Sequence, residues 1–303
     1  MLKSTLVVPT YKREKALGRA LQSVYENTLL PDELLIIDDA NLPKGFIEKW
    51  QEKFKNKLNF KYYKKDHNKH RRGLSESKNL AVQLAENEII FFIDDDVVLD
   101  KNYIKEIMHV WKSGNENKLA AVGGRISNNR SQSDFEKKVY NKFFGLSSKL
   151  PWDVNDVAFQ VWDESVSEPI LAHYIHGGVS SYKKDILIKY PFREFSGGRT
   201  GLEDVEHALR LKLAGYHFIY NPKASLEHHH EALGREKPFL SGKKESQNRK
   251  EIFKLHCKQD FKYKMRFTWA NVGWILRKIL ALRFSYATGM LYALLISDTK
   301  GKN

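Results

Sequence analysis

Cysteine is nearly absent: Cys257 stands alone among 303 residues, which excludes a disulfide framework and fits a reducing compartment. Long apolar runs are missing too. The stretch Met1-Leu-Lys-Ser-Thr-Leu-Val-Val-Pro9 is too short for a signal-peptide core. The longest charge-free piece of the tail, Phe284–Ser297, falls short of the roughly 20 residues that span a bilayer. No transmembrane helix is therefore expected, and a cytoplasmic location is. Glycine-rich nucleotide loops are also lacking. No Gly-x-Gly-x-x-Gly follows the first apolar segment, so a dinucleotide pyrophosphate has no close backbone approach there, which argues against a dehydrogenase. No Gly-x-x-x-x-Gly-Lys-Ser/Thr loop marks an ordinary P-loop enzyme either. Acidic residues are scarce at one end only. Residues 235–303 hold 16 Lys and Arg against 5 Asp and Glu, and so supply +11 of the net charge of +14. Composition alone lets such a tail face nucleic acid or anionic lipid.

What is present is an alternation of strand-like and helix-like segments. Residues 2–8 read as a strand, 9–13 as a loop, and 14–27 as a helix with Leu17, Ala20, Leu21 and Val24 on one face. Residues 34–37 form a second apolar strand ending in Asp38-Asp39. Residues 59–64 suit a third, followed by the basic loop 64–72, a helix over 75–85 and the apolar strand 89–93. Strands alternating with helices imply parallel pairing through right-handed crossovers, hence an α/β sheet whose loops gather at one edge. Both acidic clusters, Asp38-Asp39 and Asp94-Asp95-Asp96, then fall on that edge, where open α/β sheets bind ligands.

Asp94, Asp95 and Asp96 follow five consecutive apolar residues, Ile89–Ile93. Three adjacent carboxylates repel one another, and a divalent cation with oxygen ligands relieves that repulsion most simply. A solvated strand end is the plainer alternative. Further on, a strand is expected over 118–126, and 127–168 reads as irregular and polar, with Trp152 and Trp162 among Asp153, Asp156, Asp163 and Glu164. Those tryptophans suit an acceptor platform or simple core packing. Leu202, Val205, Leu209 and Leu213 make a helical stripe that Gly215 ends, so Glu203 and Asp204 lie in a first turn where the helix dipole favours their ionised forms. His228 and His230 share a face if their segment is extended, with His229 on the other.

Taken in order, Val7-Val-Pro-Thr-Tyr-Lys-Arg13, Ile36-Ile-Asp-Asp39, Gly73-Leu-Ser-Glu-Ser-Lys-Asn79, Phe92-Ile-Asp-Asp-Asp96, Glu203-Asp204 and His228 resemble the family 2 glycosyltransferases. The likeness covers residues 3 to about 230. It implies a GT-A fold: Rossmann-like α/β, with a mostly parallel sheet flanked by helices. Residues 1–232 would be the catalytic domain, with 1–100 its nucleotide-binding half and 101–232 its acceptor half, and 233–303 a basic, helical extension. The implied activity is inverting, metal-dependent transfer of a hexosyl or acetylhexosaminyl group from a nucleotide-sugar, expected to be UDP-linked, to a hydroxyl of a glycan or lipid-linked glycan.

By the same resemblance Pro9, Thr10, Tyr11 and Arg13 line the nucleotide pocket, with Tyr11 on the base, and Asp39 accepts from a base N–H. Asp38 supports the loop. Lys78, Asp94, Asp95 and Gly178 approach the ribose, diphosphate or donor sugar, while Asp96 and His228 bind Mn²⁺ or Mg²⁺. Asp204 acts as general base, with Glu203 the other acid considered for that role. Two departures stand out: Ser77-Lys78-Asn79 where many relatives have Ala-Arg-Asn, which removes the bidentate fork, and no proline shortly after the metal motif.

Other readings compete. Phe91–Leu99 also resembles the acidic motif of haloacid dehalogenase phosphatases, although that motif normally opens its fold and here two strand-helix units precede it. A non-catalytic degenerate glycosyltransferase or a basic nucleic-acid binder is a third reading. The full set of acids argues against degeneracy, and an acidic cleft repels nucleic-acid phosphate. In the tail, Arg277, Lys278 and Arg283 spread around the helix, so packing on the catalytic domain or a second subunit competes with peripheral contact at the inner face of an anionic membrane.

Overall fold

In a computed structural model of the chain, described over residues 2–113, 117–195, 201–231, 233 and 236–296, near-continuous apolar runs become buried strands. Residues 234–235 and 297–303 of the expected extension lie outside the described residues. The first half runs β1 (Ser4–Thr10), α1 (Glu14–Tyr25), β2 (Glu33–Asp38), α2 (Lys44–Phe54), β3 (Asn59–Lys64), α3 (Leu74–Leu84), β4 (Ile89–Ile93) and β5 (Val97–Leu99). The second half adds α4 (Tyr103–Ser113), β6 (Leu119–Ile126), a π-helical turn (Glu136–Tyr140) continuing into α5 (Asn141–Phe143), and a small hairpin of β7 (Asp153–Val154) and β8 (Gln160–Val161). After it come β9 (Ile170–Ala172), β10 (Val179–Lys183), α6 (Lys184–Lys189), α7 (Glu203–Leu213) and β11 (His217–His228). Three helices follow: α8 (Pro238–His256), α9 (Phe261–Leu280) and α10 (Phe284–Leu295).

One sheet carries the site, in the order β3-β2-β1-β4-β10-β6-β11-β5, with β9 also on β11. The crossovers of the first half make β3, β2, β1 and β4 parallel, as the alternation predicts. Beyond β4 the sheet becomes mixed, because β10 runs antiparallel between β4 and β6. The two-residue period of the strands divides the core between the two faces. Leu6, Val8, Ile36 and Phe91 point toward α1, α2 and α4, whereas Val7, Leu35, Ile37 and Phe92 point toward the other face, which α3, α7 and the C-terminal helices cover. Truncating a fully buried ring such as Phe92 to alanine is a change that typically costs about 3–5 kcal/mol.

The C-terminal helices share that second core, through Ile252, Phe253, Phe267 and Trp274. Arg249 of α8 is fully buried; it donates to the Ala158 carbonyl at 2.7 Å and to Glu245 at 2.9 Å, with its guanidinium over Phe159. Trp152 is fully buried and stacks on Tyr220 at 4.0 Å, so it is core and not an acceptor platform. Trp162 is half-buried and lines a cavity of about 790 Å³ between the 130–140 segment and the C-terminal helices.

Candidate active site

Parallel pairing of β1, β2 and β4 brings their carboxyl ends side by side, and with them Thr10, Asp38-Asp39 and Asp94–Asp96. The two acids after β2 divide their tasks. Asp38 caps the loop after it, accepting from the Ala40 and Leu42 N–H groups and from the Tyr62 hydroxyl. Asp39 is 5% exposed; its Oδ2 accepts from the Gly73 N–H at 3.0 Å, and its Oδ1 lies 3.2 Å from the Lys65 ammonium. Gly73 has φ +140°, a backbone conformation that favours glycine and turns its N–H toward Asp39. The basic loop thus folds over Asp39, and Lys65, which no motif marks, is the cation it contributes.

The three aspartates after β4 also differ. Asp95 faces inward, accepting from Thr10 Oγ1 at 2.7 Å and Arg13 Nη1 at 2.9 Å. Burial pushes its carboxyl up, and these two partners offset only part of the rise. Asp96 is held by Arg13 at 3.2 Å, the Glu231 N–H at 2.9 Å and His228 Nε2 at 3.0 Å. Burial opposes its ionisation, but the hydrogen bond and charge of His228, with Arg13 and the Glu231 N–H, hold the carboxyl at about 2. Arg13 therefore sits among the acids, and its remaining N–H groups donate to the Glu231 and Leu233 carbonyls. Pro9, in β1, and Tyr11, in the loop after it, are half-buried.

His228 reaches this cluster because β11 is a strand of two parts. It runs parallel to β6 through Tyr220, breaks register between Tyr220 and Ser225, and then pairs antiparallel with β5, so that His228 opposes Val97 beside Asp96. The His228 and His230 rings lie with centroids 4.0 Å apart, although His230, at φ +52°, has left the extended strand. Asp94, Asp96 and His228 each offer a ligand atom, all within 4.8 Å of one another. Two carboxylate oxygens and one imidazole nitrogen are a donor set that suits a divalent transition-metal ion such as Mn²⁺ better than Mg²⁺, which takes oxygen ligands. The backbone leaves room for it: a Cβ on Gly178 would lie 2.1 Å from Asp94 Oδ2, so only glycine lets that carboxylate take its place. The family resemblance puts Asp94 at the ribose and diphosphate; the structure groups it with Asp96 and His228.

The loop His176-Gly177-Gly178, between β9 and β10, joins this cluster to the other acids. The Gly178 carbonyl accepts from the Asp94 N–H at 3.1 Å, and the Gly177 N–H donates to Asp204 Oδ2 at 3.2 Å. Asp204 is half-buried and also accepts from the Tyr174 hydroxyl at 3.1 Å and the Val205 N–H at 2.8 Å. Its neighbour Glu203 is 6% exposed and pairs with Lys78 at 3.1 Å. Burial raises the Glu203 carboxyl; Lys78 counters the rise and Asp204 adds to it. The Lys78 ammonium, expected near the diphosphate, is directed at Glu203 and the Gly177 carbonyl and lies over the Phe192 ring. Leu202, at φ +82°, aims this turn. For a non-glycine residue that conformation costs about 1–2 kcal/mol, and such strain gathers at working sites. Tyr174, like Lys65, carried no sequence signal.

The Gly177-Gly178 loop thus joins the three-ligand cluster at the strand ends to the Glu203-Asp204 pair. The family model "Glycosyl transferase family 2" matches residues 5–162, more than half of the chain. The chain belongs to glycosyl transferase family 2. It is 27% identical over 238 residues to the O-antigen chain rhamnosyltransferase RfbN of Salmonella typhimurium, covering 78% of this chain and 69% of that protein. It is 25% identical over 187 residues to the poly(ribitol-phosphate) beta-N-acetylglucosaminyltransferase TarP of Staphylococcus aureus, covering 56% of each, so the match spans only about half of that relative. Among solved structures, S. aureus TarS 1-349 superposes with a TM-score of 0.59 at 15% identity, covering 97% of this chain and 79% of that one. The mannosyltransferase PcManGT from Pyrobaculum calidifontis, in complex with GDP-Man and Mn²⁺, gives 0.60 at 16% identity, covering 97% and 87%. The fold is that of these GT-A glycosyltransferases. Nothing in the comparisons supports the phosphatase alternative.

Proposed function

We propose that the chain transfers a hexosyl or acetylhexosaminyl group from a nucleotide-sugar, UDP-linked by preference, to a hydroxyl of a glycan or lipid-linked glycan, with inversion. The observation that carries this reading is the Gly177-Gly178 loop, which links Asp94 of the three-ligand cluster to Asp204 by two backbone hydrogen bonds. On one side of this loop lies Asp94, of the group proposed to bind a cation, and on the other the half-buried Asp204.

Between them the acceptor hydroxyl gives its proton to Asp204 while its oxygen attacks the anomeric carbon from the face opposite the diphosphate. The bond from that carbon to the diphosphate breaks, and the nucleoside diphosphate leaves. Asp204 suits the base role better than Glu203, because it is half-buried and oriented by Tyr174 and Gly177, whereas Glu203 is buried on Lys78. Asp94, Asp96 and His228 would hold Mn²⁺ or Mg²⁺, which when bound supplies neutralisation of charge on the leaving diphosphate. Thr10 and Arg13 hold Asp95 and Asp96 in the cluster. Asp39 and Tyr11 lie at the end proposed for the base; a pyrimidine N–H donated to Asp39 would favour uracil.

The cavity beside Trp162 and Leu202 is the proposed acceptor side, since Leu202 immediately precedes Glu203 and Asp204. A cytoplasmic chain acting at the inner face of a membrane fits a lipid-linked acceptor. A donor panel tests the function: UDP released from one UDP-sugar in the presence of Mn²⁺ supports it. Phosphate released from a simple phosphoester with no nucleotide preference, or no turnover of any donor, would overturn it.

A further inference from the structure

Helix α9 is apolar on two opposite faces. At about 100° per residue counted from Phe261, the buried Phe267, Ala270, Trp274 and Ile275 fall between about 180° and 320°. Phe261, Met265, Trp269, Val272, Leu276 and Ile279 fall within about 0–80° on the same count. All six are exposed, from 38% at Val272 and Ile279 to 80% at Phe261. An outward stripe of this kind runs the whole of a 20-residue helix, roughly 30 Å at 1.5 Å per residue. It also continues sideways. The Trp269 indole donates to the Phe143 carbonyl at 2.7 Å, and the exposed Phe143 ring meets it edge-on at 5.4 Å. An exposed apolar surface of that extent marks an interaction site.

The charges around it identify the partner. From Phe261 to Ile296 the chain has no Asp or Glu and six cations, of which Arg266 pairs with Asp156 at 2.6 Å and Lys278 stands beside Glu245, while Lys262 and Lys264 are exposed. On the same count the exposed Lys262 lies at about 100°, next to the stripe, and the exposed Lys264 at about 300°, in the arc of the buried face but ahead of its first buried residue, Phe267. A second copy docked face to face would set two such cation groups against each other with no acid in this stretch to offset them. Nucleic acid would satisfy the cations and leave the stripe in water. No described helix is long and apolar enough to cross a bilayer, so the helix would lie on a surface instead of spanning it.

We propose that the outward face of α9 is a docking surface for an anionic phospholipid bilayer, with the stripe at the headgroup boundary and Lys262 and Lys264 among acidic headgroups. The proposal deepens the membrane element of the functional reading but does not depend on the transfer chemistry.

The test is flotation of the 303-residue chain, without donor or acceptor, on phosphatidylcholine vesicles and on vesicles of equal parts phosphatidylcholine and phosphatidylglycerol. The chain should float with the anionic vesicles and not with the neutral ones. Lys262→Glu/Lys264→Glu alters only exposed groups and should weaken that binding at least about tenfold. Val272→Glu/Leu276→Glu should abolish it while leaving the melting temperature and turnover of a soluble donor unchanged. No flotation of the unaltered chain, or equal flotation of both variants, would overturn the proposal. So would a concentration-dependent dimer, seen by light scattering and broken by Val272→Glu/Leu276→Glu, in a chain that ignores vesicles. Because vesicle binding is read without turnover, either the docking or the transfer reading can fail while the other stands.

Discussion

Asp96 is buried and Glu245 half-buried, and both are held at about 2, yet their surroundings differ. Glu245 of α8 accepts from Arg249 at 2.9 Å, from the Trp274 indole at 2.6 Å and from the Tyr286 hydroxyl, with Lys278 adding charge. Every one of those partners comes from α8, α9 or α10, so the network closes on itself and ties three helices together. Asp96 takes its partners from β1's loop, from β11 and from the segment after it. It also stands with Asp94 and His228 in a group whose donor atoms converge on one point. A closed network spends its charge on stability; a convergent one presents donor atoms that a ligand can share. Substitutions at the strand ends should therefore act on chemistry and ligand binding, and substitutions within the Glu245 network on folding.

The largest effect should come from Asp204→Asn. Removal of a general base lowers turnover by about 10²–10⁴-fold, while binding of nucleoside diphosphate, read by calorimetry, stays within a few-fold of the unaltered chain. Loss of folding in place of turnover would break the contrast. Lys78→Met probes the closed pair inside the cleft. Stranding Glu203 in the interior costs about 3–5 kcal/mol, less whatever protonation of Glu203 recovers, and thermal unfolding should show that loss even in the absence of donor.

A smaller change, Gly178→Ala, sharpens the distinction. Its Cβ would displace the Asp94 carboxylate, and disturbing a ligand's placement lowers metal affinity by roughly 10–100-fold. The expected outcome is a loss of Mn²⁺-dependent thermal stabilisation with the metal-free melting temperature little changed.

The smallest effect is expected from Glu245→Gln, at about 1–3 kcal/mol near neutral pH. Its sign with pH is definite. The Glu245 carboxyl sits at about 2 in the fold against its ordinary 4.5, so its contribution is complete above 4.5 and is lost as pH falls toward 2. The difference between the unaltered chain and Glu245→Gln should accordingly shrink below pH ~4.5. His207, pushed down to about 3 by burial, destabilises in the same direction between its ordinary 6.5 and 3 in both proteins, because only the unfolded chain binds that proton there. A gap that widens in acid would contradict the closed network.

Local pattern made much of this readable. The apolar runs at β1, β2 and β4 end in polar residues, so parallel pairing alone places Thr10, Asp39 and Asp94–Asp96 together. The stripe from Leu202 to Leu213 places Glu203 and Asp204 at a helix start. What stayed hidden depends on long-range register. The antiparallel insertion of β10 brings Gly178 against Asp94 and Gly177 against Asp204, and no spacing encodes that pairing. The break within β11 sets His228 beside Asp96, a pairing that the family resemblance implies and that spacing alone does not encode. Lys65 on Asp39 and Tyr174 on Asp204 are ordinary residues in ordinary segments until the fold joins them. The outward face of α9 was obscured for another reason: its cations do spread around the helix, and only burial shows which apolar residues they flank.

The most direct test of the transferase account is release of nucleoside diphosphate from a panel of UDP- and GDP-sugars, with and without Mn²⁺, by the unaltered chain, Asp96→Asn and Asp204→Asn. The account predicts release from a UDP-sugar that requires the metal, stimulation by an acceptor glycan, and loss in both variants. Release that is indifferent to metal and unchanged in Asp204→Asn would contradict it.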